Sequence, residues 1–252
     1  MHRIHLPDPE IPFESGQIVR ITGDQAHHAA RVKRLAVGDM FEAFDGKGRA
    51  ARARIKAIEK LGKKEGWAIM ATLEQVRSCR PESPRVVIRS AVPKGPRLET
   101  MIEQLSQIGI AGWGPLLTER AVVDPREGKL ARLVRTAEES AKQCGRDWVI
   151  SIESRLTLRQ VIEQGGRLVV ADRSGEPYAG TGCASLTLLV GPEGGWTRGE
   201  LDRLVQAGAV VANFGRHTLR IESAAVAAGA IVMDQEQRLT PDAGTRSGEG
   251  NA

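Results

Sequence analysis

The chain has 252 residues, 41% of them hydrophobic and 27% charged, with a formal net charge of +5. That length holds one large domain or two ordinary ones, and no apolar run approaches the roughly 20 residues of a membrane span. The start of the chain has no apolar signal region, and Cys79, Cys144 and Cys183 are far apart without CxxC spacing, so we expect a cytoplasmic protein with reduced thiols and no metal site. The first segment reads as β-rich, with short apolar runs (QIVRIT, DMFEAF, RARIKAI, GWAIMATL) parted by turn signals. Residues 24–35 are the exception and predict a short helix with Asp24 as its N-cap. A small barrel with one helix fits this pattern. The segment SCRPESPRV then breaks all periodicity, which places a first domain at 1–77, a linker at 78–85 and a second domain at 86–238.

The second domain alternates strands with helical runs. VVIRSAV, WGPLLTE, RLVVADR, LTLLVG and VVANFG read as strands, and helices are predicted over 97–109, 127–145, 198–208 and 222–238. Such alternation argues a mostly parallel sheet covered on both faces. The last helix is rich in Ala and Gly, which suits close packing against another segment or a second copy. Residues 239–252 lack core-forming side chains and are expected to be disordered.

Charge divides along the same boundary. Residues 1–80 carry 15 Lys and Arg against 10 Asp and Glu, whereas residues 81–252 carry 21 of each. A positive charge confined to the first third suggests docking to a polyanion, for which nucleic acid is the usual choice. A solvated basic surface is the competing reading.

In a sheet of this kind, ligands sit at the carboxyl ends of strands. Three loops qualify: Asp172-Arg173-Ser174, the glycine loop Gly191, Pro192, Glu193, Gly194, Gly195 and Trp196, and residues 215–221. The glycine loop has neither the Gly-Lys-Ser/Thr of a P-loop nor the G-x-G-x-x-G of a dinucleotide fold. It carries Glu193 where a phosphate site would want a cation, and Pro192 removes a backbone donor. A ligand that is neutral or cationic at the protein, read by close backbone approach, fits better, and S-adenosylmethionine is one. A tight turn using glycines for positive φ remains the alternative.

LLVGPEGGWTRGEL followed by FGRHTLRIESAAVAA, behind HHAARVKRLAVGDMFEAFDGKG, resembles the RsmE family, 16S rRNA (uracil-N3)-methyltransferases of the SPOUT class. The GPEGG loop matches outright, and Leu219, Arg220, Glu222, Ser223 and Ala224 match the family's LR-x-E-[TS]-A. AVPKGPRLETMIEQLSQIG and EESAKQCGR resemble two further family segments, and the likeness covers residues 1–238. It implies an α/β SPOUT-type knotted, mostly parallel sheet domain preceded by a small PUA-like β-barrel. It also implies a homodimer acting on small-subunit ribosomal RNA or the assembled small-subunit particle, without membrane or metal. S-adenosylmethionine would be held by Leu189, Gly191, Pro192, Glu193, Gly194, Gly195, Leu219, Ile221 and Ala224. Arg31, Lys33, Arg34, Arg52, Lys94 and Arg146 would contact RNA. Arg220 would meet the target base or its phosphate, with Glu222 orienting it or accepting the proton; an acid capping the helix start is the plain structural reading of Glu222. The sequence departs from the family at Gln104 and Gln107, where a Lys and a Glu are usual, and at Arg216-His217-Thr218. Another SPOUT-class RNA methyltransferase with a shifted target, or a non-catalytic RNA-binding dimer, are the alternatives.

Overall fold

The computed structural model describes residues 1–7, 12–61, 66–122 and 127–240, so the tail expected to be disordered lies outside the described residues from position 241 onward. The chain forms two compact units, Met1–Pro81 with Glu138–Val149, and Glu82–Ala137 with Ile150–Ala252.

The first unit contains strand β1 (Arg3–His5), β2 (Ile18–Ile21), helix α1 (Gly23–His27), a π-helical turn (His28–Val32), β3 (Met40–Phe44), β4 (Arg49–Lys60) and β5 (Trp67–Ser78). They make one five-stranded sheet in the order β1-β3-β4-β5-β2, with β1 parallel to β3 and the other pairs antiparallel. Alternating side chains of these strands, Ile4, Phe41, Ile55, Ile69 and Leu73 among them, fill the core. Register shifts at Ala51/Arg52 and Ile55/Ala57 bend the long β4–β5 hairpin, as bulges do. The helix expected over 24–35 is corrected in two respects. Its N-cap is Thr22, not Asp24, and the regular α-helix ends at His27 before the π-turn.

The segment Glu138–Val149 joins this unit through buried charge. The Arg3 guanidinium donates to the carbonyls of Ala141 (3.1 Å) and Arg146 (2.9 Å) and pairs with Asp147 and with Glu42 (2.8 Å). Asp147 also accepts from Arg77 at 3.1 Å and from the Cys79 thiol at 3.2 Å. A buried ion is tolerated only when its lone pairs and protons find partners, and here chain-remote segments supply them. No local pattern in the sequence could have assigned residues 138–149 to the first unit.

The second unit begins with β6 (Arg85–Ser90), α2 (Arg97–Gln107), β7 (Gly112–Leu117) and α3 (Glu127–Cys144), the last of which runs on into the segment just described. It continues through β8 (Ser151–Ile152), β9 (Leu156–Thr157), α4 (Leu158–Gln164), β10 (Leu168–Pro177), β11 (Ser185–Val190), α5 (Arg198–Gln206), β12 (Val210–Asn213) and α6 (Ile221–Leu239). Its strands pair in the order β12-β10-β11-β6-β7-β8, with β9 on β7, and every pair is parallel. Strands buried on both faces need near-continuous apolar sequence, and Val86–Ile88 of β6 and Leu186–Val190 of β11, with a half-buried Thr187, supply it; β6 then ends on the buried polar Arg89 and Ser90.

From the sheet edge at β12, α6 returns to pack on α2, β6 and β11. Its small residues serve this contact within the chain. Ala225, Ala228 and Gly229 are buried, and a Cβ at Gly229 would stand 3.1 Å from Ile88 Cδ1. Further along, Glu236 is fully buried and accepts from the Tyr178 hydroxyl, from Thr181 N (2.6 Å) and Oγ1 (2.8 Å), and from Cys183 N (3.1 Å). Burial by itself would raise its pKa, yet these donors hold it below the usual carboxylate range. They fasten the end of α6 to the chain between β10 and β11.

Candidate functional site

A cavity of about 290 Å³ opens at the carboxyl ends of β10, β11 and β12, close to the lower end of the ~300–1,000 Å³ range of small-molecule sites. Its first wall comes from an interruption in β10. Ala171 and Glu176 both pair with Ala212, so residues 172–175 leave the ladder as a bulge. Asp172 Oδ1 accepts from the backbone N and the hydroxyl of Ser174 (2.9 and 2.7 Å), which closes the bulge as an Asx-turn. Gly175 is required where the chain rejoins the sheet, because a Cβ there would lie 2.3 Å from the Val211 carbonyl oxygen.

The glycine loop after β11 is the second wall. The Trp196 indole donates to the Ala171 carbonyl at 3.1 Å, and its ring lies where a Cβ on Gly191 would come within 3.0 Å. That side chain therefore ties loop to bulge and leaves little room for a Cβ at the strand end. At Thr197 a capping box starts α5: Thr197 Oγ1 accepts from Glu200 N, and Glu200 Oε2 from Thr197 N. The third wall follows β12. Asn213 Oδ1 accepts from Gly215 N at 2.9 Å, and Arg173 reaches the Thr218 hydroxyl at 3.4 Å. Phe214 lines the cavity and stacks on Tyr178 with ring centroids 5.3 Å apart.

Of the residues expected to hold a cofactor, Gly191, Pro192, Glu193, Gly194, Gly195, Leu219 and Ala224 line this cavity. Leu189 and Ile221 do not. Leu189 points into the core beneath the loop, and Ile221 is buried in the first turn of α6. Asp172, Arg173, Trp196, Asn213 and His217 line it as well. Their loops were legible as strand ends, but only the register jump in β10 brings Asp172 and Arg173 into the site.

Neither Arg220 nor Glu222 lines the cavity. Arg220 is the N-cap of α6, with an exposed side chain that makes no cap bond, one residue beyond the lining Leu219. The expected Arg220–Glu222 pairing is replaced by another: Glu222 Oε1 lies 3.6 Å from Nε of Arg97, and its Oε2 is buried without a hydrogen-bond partner among the described residues. In the second unit Lys94 is exposed ahead of α2, as are Gln104 and Gln107 on it. In the first unit Arg31, Lys33, Arg34 and Arg52 are exposed, whereas Arg49 and Arg54 are paired with Asp45 (2.7 Å) and Glu74 (3.0 Å). Arg146 is half-buried, and its carbonyl serves Arg3.

A parallel sheet with a glycine loop and two flanking loops at its carboxyl edge defines an α/β fold with a cavity of small-molecule size at the strand ends. Residues 81–233 match the RNA methyltransferase domain family, and residues 21–63 match the RNA methyltransferase PUA domain. The chain belongs to this RNA methyltransferase family. It is similar to the ribosomal RNA small subunit methyltransferase E of Synechocystis sp., with 31% identity over 217 residues, 82% of this chain and 69% of that protein. The enzyme of the same name from Bacillus subtilis is 27% identical over 260 residues, covering 96% of this chain and all of that one. Among solved structures, the Neisseria gonorrhoeae ribosomal RNA small subunit methyltransferase E bound to S-adenosyl methionine superposes with a TM-score of 0.81 at 24% identity, covering 95% of this chain and 98% of that one. A probable rRNA-methyltransferase from Porphyromonas gingivalis gives 0.79 at 24% identity over 94% and 99%. These likenesses establish the fold.

Proposed function

We propose that this chain is an S-adenosylmethionine-dependent methyltransferase acting on N3 of a uridine in small-subunit ribosomal RNA, as a homodimer in the cytoplasm. The observation that carries the reading is the cavity at the glycine loop, together with its charge. Backbone groups and the apolar Val190, Phe214 and Leu219 surround it, and its two carboxylates, Asp172 and Glu193, outnumber the one guanidinium, Arg173. A carboxylate beside a phosphate would repel it; beside a sulfonium it attracts. The residues present therefore fit S-adenosylmethionine, which when bound supplies an electrophilic methyl group. The family membership and the names of the relatives support the RNA substrate.

N3 of a neutral uracil carries a proton and has no available lone pair, so the protein must accept that proton and stabilise the anion left behind. Arg220 is our choice for the second task. As an exposed cation beside Leu219, it can reach a base presented at the cavity mouth while backbone holds the cofactor. Glu222 is our choice for the first: it follows Arg220 by two residues in the first turn of α6, and its Oε2 has no hydrogen-bond partner among the described residues. Arg97 holds the other carboxylate oxygen in place. Arg31, Lys33, Arg34 and Arg52 on the first unit, and Lys94 on the second, are exposed, make no ion pair among the described residues and are available to RNA phosphates; Arg146 belongs to the same reading. Leu189 and Ile221 act from beneath, by packing under the residues that touch the cofactor.

Arg220→Ala tests the assignment. Cofactor affinity should stay near wild type while single-turnover methyl transfer to small-subunit particles falls by about two to three decades, the usual cost of one preorganised donor. Transfer at the wild-type rate would make Arg220 structural and move its role to Arg216 or Arg173.

A further inference from the structure

The glycine loop is held from outside the cavity by a residue that the function above does not use. Arg120 follows β7 and lies on the surface. Its Nη1 donates to the Gly194 carbonyl at 2.6 Å and to the Trp196 carbonyl at 3.4 Å. Its aliphatic stem covers Gly194 so closely that a Cβ there would stand 3.3 Å from Arg120 Cδ.

The consequence lies in the two peptide planes these carbonyls belong to. In a trans peptide, C=O and N–H point in opposite directions and move together. The Gly194 carbonyl is held by Arg120, while the N–H of the same peptide, on Gly195, donates to the Pro192 carbonyl at 2.8 Å. The Trp196 carbonyl is held by Arg120, while its peptide N–H, on Thr197, donates to Glu200 Oε2 at 2.9 Å. Each plane is pinned at both ends. The first joins two glycines, the second of them at φ +68°, which is the pair most free to rotate. Glu200, almost fully buried, uses its other oxygen to accept from Glu119 N at 2.9 Å, and Glu119 pairs with Arg203 of α5 at 3.0 Å. The segment carrying Arg120 is thus fastened to the start of α5 independently of the arginine, and the guanidinium is delivered to the loop preformed.

We propose that Arg120 is a positioning residue for cofactor binding, fixing the 194–195 and 196–197 peptide planes so that the inner face of the loop keeps the shape the cofactor needs. The inference rests on the cofactor reading above. It is tested by S-adenosylmethionine titration calorimetry, steady-state kinetics and amide hydrogen exchange on wild type, Arg120→Lys and Arg120→Ala. Arg120→Ala should bind the cofactor about ten- to a hundredfold more weakly, as loss of a charged donor to two carbonyls implies. Its KM for S-adenosylmethionine should rise by a similar factor while kcat at saturation stays within about twofold. Exchange at Gly195 and Thr197 should accelerate at an unchanged melting temperature, and Arg120→Lys, able to reach one carbonyl, should recover part of the affinity. Equal affinity in wild type and Arg120→Ala, unchanged exchange at those two amides, or a fall in kcat as large as the rise in KM would each overturn the inference. A wild-type protein that fails to bind S-adenosylmethionine would overturn the cofactor reading instead.

Discussion

Single residues in this protein hold charge and protons in ways with measurable consequences. The His2 and His28 rings of the first unit have centroids 5.6 Å apart, and His2 Nε2 is buried without a hydrogen-bond partner among the described residues. Burial, and then the charges of His28, Lys33 and Lys142, lower its pKa from 6.5 to about 4, against a smaller opposing pull from Glu139. The folded chain therefore keeps His2 neutral where the unfolded chain would protonate it. Stability from this group is fully present above about pH 6.5 and declines as the pH falls toward 4. In His2→Gln that part of the acid sensitivity should vanish. Urea unfolding at pH 7 and pH 4.5 checks it, and an equal loss in both proteins would show that His2 does not carry the linkage.

Among the elements, β10 shapes the site most, because its bulge turns a strand end into a wall. Gly175 permits that bulge, since any Cβ would strike the backbone of β12 at Val211. In Gly175→Ala the β10–β12 pairing must shift, and we expect a loss of about 1–3 kcal/mol, in the range of overpacking, with cofactor affinity reduced at least tenfold. Thermal melts with cofactor titration measure both, and a wild-type profile would mean the bulge does not shape the cavity. Elements of this kind mark how far the sequence could be read. The main strands and α2, α3, α5 and α6 were legible because each has a sustained apolar period, and Gly191 through Gly195 stood out by composition alone. Three-residue β1, two-residue β8 and β9 and short α4 have too few residues to show a period. The bulge at 172–175, the bond from Trp196 to Ala171 and the Glu222–Arg97 pair depend on strand register and on helix return, which no local window encodes. The small residues of α6 were visible, but not that Ala225, Ala228 and Gly229 pack inside the same chain. The homodimer accordingly rests on the family reading and not on that face.

For the molecule as a whole, the proposed function assigns RNA holding to the basic excess of residues 1–80 and methyl-donor holding to the cavity of the second unit. Each property alone is common; together in one chain of this family they call for a reaction on RNA. The most direct measurement of that claim is mass mapping of nucleosides from unmodified small-subunit particles after incubation with the purified protein and isotope-labelled S-adenosylmethionine. The account predicts labelled 3-methyluridine at a single position of the small-subunit ribosomal RNA, lost in Arg220→Ala. Label on a ribose or on another base, or no label from a protein that binds the cofactor, would contradict it.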